Sequence, residues 1–294
     1  MPLAVLGGNV AAKMMDGNVV AAKIKAAVTK EMEALKIKGV VPSLAAVQVG
    51  DNPESKMYIG MQKKNCESIG LTYNLHTLPA DTSEQGLIKY IEKLNQDKSV
   101  NGIILQMPLP QGVNPRNIQK SISPDKDVEG MNPANLGRLL YGNVIIGPCT
   151  ALSVMELLKF TGESLKGKEA VVVGHSEIVG KPVAVLLLQW LTDSPTVTVC
   201  HIATQNLEDH IRKADIIVSA VGRPDLIKAE WVKEGAMIVL VGIKRMPDGT
   251  ALGDVDFDKA AAKASWITPV KGGVGPVTTA ILLRNTVEVT KLQI

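Results

Sequence analysis

EAVVVGHSEIVGKPVAVLLL, Glu169 to Leu188, changes character at its first glycine. The opening residues are apolar without alternation, as a strand covered on both faces of a parallel sheet requires. Beyond Gly180 an apolar stretch suits a helix. Gly174 and Gly180 stand between the two. Glycine adopts open dihedrals and lets an anion approach the backbone, and the amides and dipole of a helix start favour that anion. The spacing is not GxGxxG, and a strand–glycine–helix turn also serves plain packing. A further strand follows about one βαβ unit later, and SAVGRP (Ser219 to Pro224) supplies a second glycine turn at a strand end, which strengthens a dinucleotide reading.

The same alternation extends in both directions. Val19 to Leu35 predicts an amphipathic helix with Val20, Ile24, Ala27, Met32 and Leu35 on one side. Strands are predicted at Pro42 to Gly50, at Tyr73 to Pro79 and in VNGIILQMPLP, with helices from Ser55 to Ile69 and from Ser83 to Asn95. Gln111 to Val144, rich in Pro, Gly, Asn and Asp, reads as a long irregular connection of the kind that carries function. TVTVCH, DIIVSAVG and AMIVLVG continue the second set of strands, and a last helix is expected from Val277 to about Leu292. The fold class is therefore α/β with two domains: an N-terminal three-layer α/β domain and a Rossmann-like nucleotide-binding domain, with a cleft between them. The expected boundaries are 1–146, 147–276 and a C-terminal helix, 277–294, that returns to the first domain.

Composition narrows the class. The chain has 294 residues, 46% of them apolar, enough for two cores. Its 32 basic and 29 acidic residues are mixed, for a net charge of +3, so no nucleic-acid partner is expected. Three cysteines without CxxC spacing fit a reducing compartment and give a metal site little to build on. The N-terminus lacks a signal-peptide pattern, and the longest apolar run, Val183 to Leu191, is too short to span a bilayer. A soluble, cytoplasmic protein with no membrane partner and no metal is expected.

GHSEIVGKP, CHIAT, SAVGRPDLI, GDVDF and ITPVKGGVGPVTTAILLRNT, preceded in order by SKMYIGMQKKNCESIG, ILQMPLP, PDKDVEGMNPANLGRLL and PCT, resemble the methylenetetrahydrofolate dehydrogenase/cyclohydrolase family over nearly the whole chain. The resemblance implies oxidation of the methylene bridge of a tetrahydrofolate derivative with NAD or NADP, often followed by hydrolysis of the methenyl product to 10-formyltetrahydrofolate, in a homodimer. It implies catalytic roles for Tyr58, Gln62, Gln106 and Glu129, with Tyr58, Gln106, Pro108, Glu129, Lys271, Gly272, Gly273 and Pro276 binding substrate. It gives the coenzyme Gly174, His175, Ser176, Ile178 and Gly180, then His201, Ile202, Ala220, Gly222, Gly242 and Gly275.

Position 62 departs from the family pattern. Four residues along a helix turn a side chain by about 40°, so Gln62 shares a face with Tyr58, while Lys63 and Lys64 point about 140° and 120° away. The resembling family carries lysine in a Tyr-x-x-x-Lys arrangement here. A lysine can relay a proton and stabilise negative charge during hydrolysis; glutamine hydrogen-bonds but does not titrate. Hydride removal mainly needs alignment, because lone pairs on the folate nitrogens stabilise the cation formed. Dehydrogenation with weak or absent cyclohydrolase activity is expected. The rival enzyme is the bifunctional one, with Lys271 or water relays replacing the lysine; the rival class is a folate- or nucleotide-binding protein without turnover.

Other departures concern the ligands. Glu129 replaces an aspartate, Lys271 a proline, Leu240 an aspartate, Lys244 an asparagine, and Ala151 and Ser153 a proline and a glycine, which leaves room for a modified folate. An NADP enzyme must neutralise a 2′-phosphate. Where the family has arginine and a serine, this chain has His175 and Ile202, followed by Ala203, so NAD is the preferred coenzyme although no acidic ribose reader is evident. His76 and His210 suit strand or surface roles. Cys66 and Cys149 suit packing, and Met61 and Met107 are expected in the core. Asp127 can cap a turn.

Overall fold

The computed structural model describes residues 12–189, 193–246 and 248–294. The expectation of no signal peptide concerns residues 1–11 and lies outside them, as do Trp190 and Leu191 of the longest apolar run. In chain order the elements are β1 (Lys13–Met14), α1 (Gly17–Ile37), β2 (Ser43–Val49), α2 (Pro53–Ser68), β3 (Thr72–Leu78), α3 (Glu84–Gln96), β4 (Gly102–Leu105), α4 (Pro115–Ser121), α5 (Pro133–Leu140) and α6 (Cys149–Phe160). There follow β5 (Glu169–Val173), α7 (Gly180–Leu187), β6 (Thr196–Cys200), α8 (Leu207–Lys213), β7 (Ile216–Ser219), β8 (Met237–Leu240), β9 (Ile243–Arg245), β10 (Ala251–Gly253), α9 (Phe257–Ala261), β11 (Trp266–Ile267) and α10 (Val274–Lys291). Among the described residues no helix is long and apolar enough to cross a membrane.

The chain forms two compact units. One groups residues up to Val20 with Thr150–Val277; the other groups Ala21–Cys149 with Thr278–Ile294. Each passage from one to the other falls within a helix, α1, α6 or α10.

In the second grouping a parallel sheet runs β3-β2-β4. The middle strand, SLAAVQV, is buried along its whole length. Ala45, Val47 and Val49 share one face with Ile103 and Leu105 and pack against Leu87, Ile91 and Leu94 of α3 and Ile118 of α4. The period of two puts Leu44 and Ala46 on the opposite face, where the Thr286 methyl of α10 closes over Gly102. The buried stripe of α1 is Val20, Ile24, Val28, Met32 and Leu35. Ala27, expected in that stripe, is exposed, because the i, i+4 series passes through Val28. The predicted irregular connection contains two helices, α4 and α5. Each starts on an asparagine whose side chain accepts from the amide two residues on, Asn114 from Arg116 and Asn132 from Ala134, and each has proline in its first turn. Prolines and asparagines that read as loop are here helix starts.

The other grouping holds a six-stranded parallel sheet, β1-β11-β8-β7-β5-β6. Its strands β5, β7 and β8 are apolar apart from the exposed Glu169 that opens β5 and the buried Ser219 that closes β7, as expected for strands covered on both faces. From β5 the chain goes to β6 on one side and to β7 on the other, so the strand order reverses there. That is the Rossmann-type switch point, outside whose carboxyl ends such sheets bind ligands.

Candidate active site

In the three-stranded unit, α2 carries Tyr58 and Gln62 on one face. Tyr58 is 41% exposed and Gln62 only 1%. Gln106 follows β4 directly, held by its backbone amide donating to the Val47 carbonyl at 2.8 Å. Its Nε2 donates to Gln62 Oε1 at 2.9 Å, and the Tyr73 phenol of β3 donates to the same oxygen at 3.1 Å. The Gln62 Nε2 is buried without an acceptor at hydrogen-bonding distance, although the amide is close enough to Tyr58 to favour its phenolate. Lys63 and Lys64 are exposed, and Lys63 lies 3.9 Å from Glu67. Neither takes the place of Gln62.

Glu129 joins this cluster electrostatically. Burial, then the charge of Asp127, push its carboxyl up to about 8, against the opposing pull of the Leu105 backbone amide. Burial, then the charges of Glu129 and Cys149, push the Tyr58 phenol up to about 12. Tyr58 is therefore a neutral O–H group across the physiological range. Asp127 is buried and serves the turn: it accepts from the Asn132 amide at 2.7 Å and from Asn135 Nδ2 at 2.9 Å. Even so, burial raises its carboxyl above the ordinary value.

The segment carrying Glu129 is tied from several sides. Lys126 Nζ donates to the carbonyls of Leu94 (3.0 Å) and Asp97 (2.6 Å) at the end of α3. Asn285 Nδ2 of α10 donates to the carbonyls of Val128 (2.9 Å) and Gly147 (3.1 Å). Gly130, at φ +68°, lies so close to the Gly147 backbone that no side chain fits. Sequence reading missed Tyr73, Lys126 and Asn285 as supports of the site. Tyr73 is a polar aromatic at a strand position and carries no local motif.

Met61 and Met107 are 45% and 48% exposed, not core fillers. Met61 stands three residues after Tyr58 on α2, and Met107 leaves the sheet immediately after Gln106. Pro108 is exposed with it. His76 accepts or donates at Nδ1 to the Tyr90 hydroxyl at 2.8 Å, in a strand role.

In the six-stranded unit the predicted coenzyme residues gather at the carboxyl edge of the sheet. Gly174, His175, Ser176 and Ile178 follow β5, and Gly180 opens α7. His201 and Ile202 follow β6, Ala220 and Gly222 follow β7, and Gly242 follows β8. Gly174, at φ +114°, faces the Ala220 carbonyl where a Cβ would stand 2.6 Å from it. Gly180 in turn abuts the Gly174 carbonyl. Gly222, at φ +74°, leaves open space where a Cβ would be, so a ligand can approach its backbone. The His175 and His201 rings meet edge to face at 4.8 Å, and His201 Nδ1 accepts from the Ala203 amide at 3.2 Å. Ile202 is wholly exposed. No carboxylate stands among residues 201–204 after β6 to read a ribose hydroxyl.

Asp254 of GDVDF is a further support, which the motif alone does not single out. It is fully buried; its Oδ2 accepts from Ser219 Oγ (2.5 Å) and the Val221 amide (2.9 Å), and its Oδ1 reaches no partner. It thereby shapes the turn of Ala220 and Gly222. Leu240 is core, buried in the cluster of this sheet. Lys271 is exposed at the turn between β11 and α10. Gly272, at φ +82°, packs on Asn18, and Gly273 abuts the Pro269 carbonyl. The final helix begins at Val274, three residues earlier than predicted, so Gly275 and Pro276 lie in its first turn, where proline loses no hydrogen bond.

Residues 15–129 match the catalytic domain of tetrahydrofolate dehydrogenase/cyclohydrolase, and residues 148–294 match the NAD(P)-binding domain of the same enzymes. The bifunctional protein FolD of Geotalea daltonii is 46% identical over 280 residues, 95% of this chain and 99% of that protein. The crystal structure of the bifunctional FolD methylenetetrahydrofolate dehydrogenase/cyclohydrolase of Campylobacter jejuni superposes with a TM-score of 0.92 at 43% identity, covering 97% of this chain and all of that one. Two further structures differ in coenzyme. The Trypanosoma brucei enzyme, complexed with NADP and an inhibitor, has a TM-score of 0.89 at 37% identity over 96% of this chain and 98% of that one. The NAD-dependent dehydrogenase of Saccharomyces cerevisiae has 0.79 at 25%, again over 96% and 98%. Two matched domains in sequence, and a common fold along the whole length, mean that this chain belongs to the tetrahydrofolate dehydrogenase/cyclohydrolase family of enzymes.

Proposed function

We propose that the chain oxidises 5,10-methylenetetrahydrofolate to the 5,10-methenyl compound by hydride transfer to NAD(P)+, with NAD preferred, and that it hydrolyses the methenyl product poorly. Gln62 is the observation that carries the second half. Buried at 1% exposure and hydrogen-bonded to Tyr73 and Gln106, it puts a neutral amide at the position where the resembling family carries lysine. Opening the methenyl ring needs water activated and a proton delivered; neither Gln62 nor Tyr58, whose phenol is pushed up to about 12, titrates near neutrality.

The chain's own groups suffice for the first half. Tyr58 lends an exposed aromatic face and a hydroxyl to position the substrate, and Glu129, once ionised, accepts from N–H donors of the pterin. Gln106 and Gln62 offer neutral hydrogen bonds that hold the bridge without competing for its charge. The carboxyl edge of the six-stranded sheet suits a dinucleotide, with the glycine cradle of Gly174 and Gly180 after β5 and the open backbone at Gly222. Bound there, the nicotinamide supplies the hydride acceptor. The exposed Ile202 gives a 2′-phosphate nothing to bind, which favours NAD.

Retention of both activities is the second reading, and it has the broader support, since the FolD relatives at 46% and 43% identity are named bifunctional. The two differ in one assay. Purified protein is expected to form NADH with the methylene compound, and to clear methenyl absorbance no faster than the buffer-catalysed reaction. Rapid clearance would establish the bifunctional enzyme, and Gln62→Lys is expected to raise hydrolysis at least tenfold, about 1.4 kcal/mol of barrier. The three cysteines are buried and not joined in disulfides, which agrees with a reducing cytoplasmic setting; sedimentation tests the homodimer that the family likeness implies.

A further inference from the structure

Asp254 follows β10, and its side chain reaches back 35 residues to the turn after β7. Its Oδ2 accepts from the Ser219 hydroxyl at 2.5 Å and from the Val221 amide at 2.9 Å. The two oxygens of a carboxyl are alike and a backbone amide can only donate, so the Val221 contact does not depend on how the group is turned. The same oxygen lies beneath the turn after β8: a side chain at Gly242 would run into it and into the Gly222 nitrogen. The amides of Val241 and Gly242 donate to the Ser219 carbonyl at 2.8 and 2.9 Å, so the strand ends are already joined without Asp254. What Asp254 adds is a hold on the backbone beyond Ser219. It is 0% exposed, and its Oδ1 has no partner among the described residues. Leaving a buried acceptor unmet is unfavourable, which points to a requirement other than closing the turn.

We propose that Asp254 is a positioning residue for the nicotinamide half of the coenzyme: it holds Val221 and Gly222 against Gly242, so that the backbone of the two glycines makes one floor under that half. This rests on the dinucleotide seat proposed above at the carboxyl edge of the six-stranded sheet. In a Rossmann-type sheet each mononucleotide half lies over its own set of strands. The pyrophosphate sits at the first βα turn, and the ribose of the adenosine half lies at the end of the second strand. Here those places are the turn of Gly174 and Gly180 and the end of β6. The turns after β7 and β8 are left to the nicotinamide half. Gly222, at φ +74°, has open space where a Cβ would be, so a ligand can meet its backbone. Asp254 is itself covered and acts only through the two glycines. Hydride transfer depends on close alignment of the nicotinamide, so a floor that shifts costs rate as well as affinity.

Asp254→Ala removes the acceptor. Calorimetric titration is expected to show it binding NAD, or NADP if the wild type turns that over instead, about tenfold more weakly. ADP-ribose, or its 2′-phosphate for NADP, lacks the nicotinamide and is expected to bind within about twofold of wild type. Damage to the whole unit would weaken both ligands alike. Asp254→Asn keeps one oxygen able to accept from both donors, and its affinity for the dinucleotide is expected to stay within about threefold of wild type. Unchanged dinucleotide binding in Asp254→Ala, equal weakening of dinucleotide and ADP-ribose, or an asparagine variant as weak as the alanine one would overturn the proposal. Should the alanine variant lose its cooperative melt, Ser219→Ala decides. It is expected to weaken the dinucleotide about threefold and spare ADP-ribose, and an equal effect on both, or none, overturns the assignment. Wild-type protein that binds neither NAD nor NADP would instead remove the coenzyme reading, and this proposal with it.

Discussion

Glu129 is the residue whose protonation state the fold alters most usefully. Burial and Asp127 lift its carboxyl from 4.5 to about 8, so at neutral pH most of it is protonated. A raised carboxyl contributes its stability below its unfolded value and loses it as pH climbs through the folded one. For the pterin contact proposed above the sign is reversed, because the ionised carboxylate offers both oxygens to N–H donors while the protonated acid turns one into an O–H donor. The folate kcat/KM is therefore expected to rise with pH and level off above about 8, and Glu129→Gln to flatten that rise; stopped-flow or steady-state profiles at saturating coenzyme check it. The coenzyme side has its own lever, at two positions. His175→Arg combined with Ile202→Ser is expected to raise the NADP to NAD ratio of kcat/KM at least tenfold, since a charge-assisted contact to phosphate contributes about 1.5–3 kcal/mol. An unchanged ratio would place the 2′-position elsewhere on the sheet edge.

Among the elements, α10 does more for the site than its position at the chain end suggests. Asn285 donates to the carbonyls of Val128 and Gly147, and the first of these precedes Glu129. Asn285→Ala leaves two buried acceptors short of a donor. It is expected to cost about 1–3 kcal/mol in urea unfolding and to raise the folate KM several-fold while the coenzyme KM stays put. Asn285→Asp is expected to be worse, since a carboxylate offers those carbonyls no donor. The turns after β5, β7 and β8 show the same division of labour. Glycines allow the close approaches at 174, 180 and 242, and the buried Asp254 holds the Ser219 hydroxyl and the Val221 amide in place.

The whole molecule is two units threaded by one chain that changes unit inside α1, α6 and α10. A fragment of residues 21–149 lacks 278–294, and with them the buried Leu282, Leu283, Asn285, Thr286, Val287 and Val289. Such a fragment is expected to melt without cooperativity. Rejoining 278–294 through a flexible linker is expected to restore a sigmoidal transition by circular dichroism. A cooperative melt of the fragment alone would show that α10 is an accessory to that unit.

The sequence by itself determined the α/β class, the placement of most strands and helices, and the glycine turns of the coenzyme side, because continuous apolar runs and 3.6-residue stripes are local consequences of burial. It also determined that Tyr58 and Gln62 share a helix face, since that follows from helical pitch alone. It could not separate loop from short helix in residues 111–144, where asparagine and proline serve both. It put Met61 and Met107 in the core because hydrophobicity says nothing about which end of a strand or side of a helix faces a site. Only the tertiary structure decided that β1 pairs beside β11, that Gln106 and Tyr73 both meet the Gln62 carbonyl of α2, and that Asn285 of α10 holds the segment of Glu129. Those depend on contacts between different elements of the fold, which no local pattern encodes.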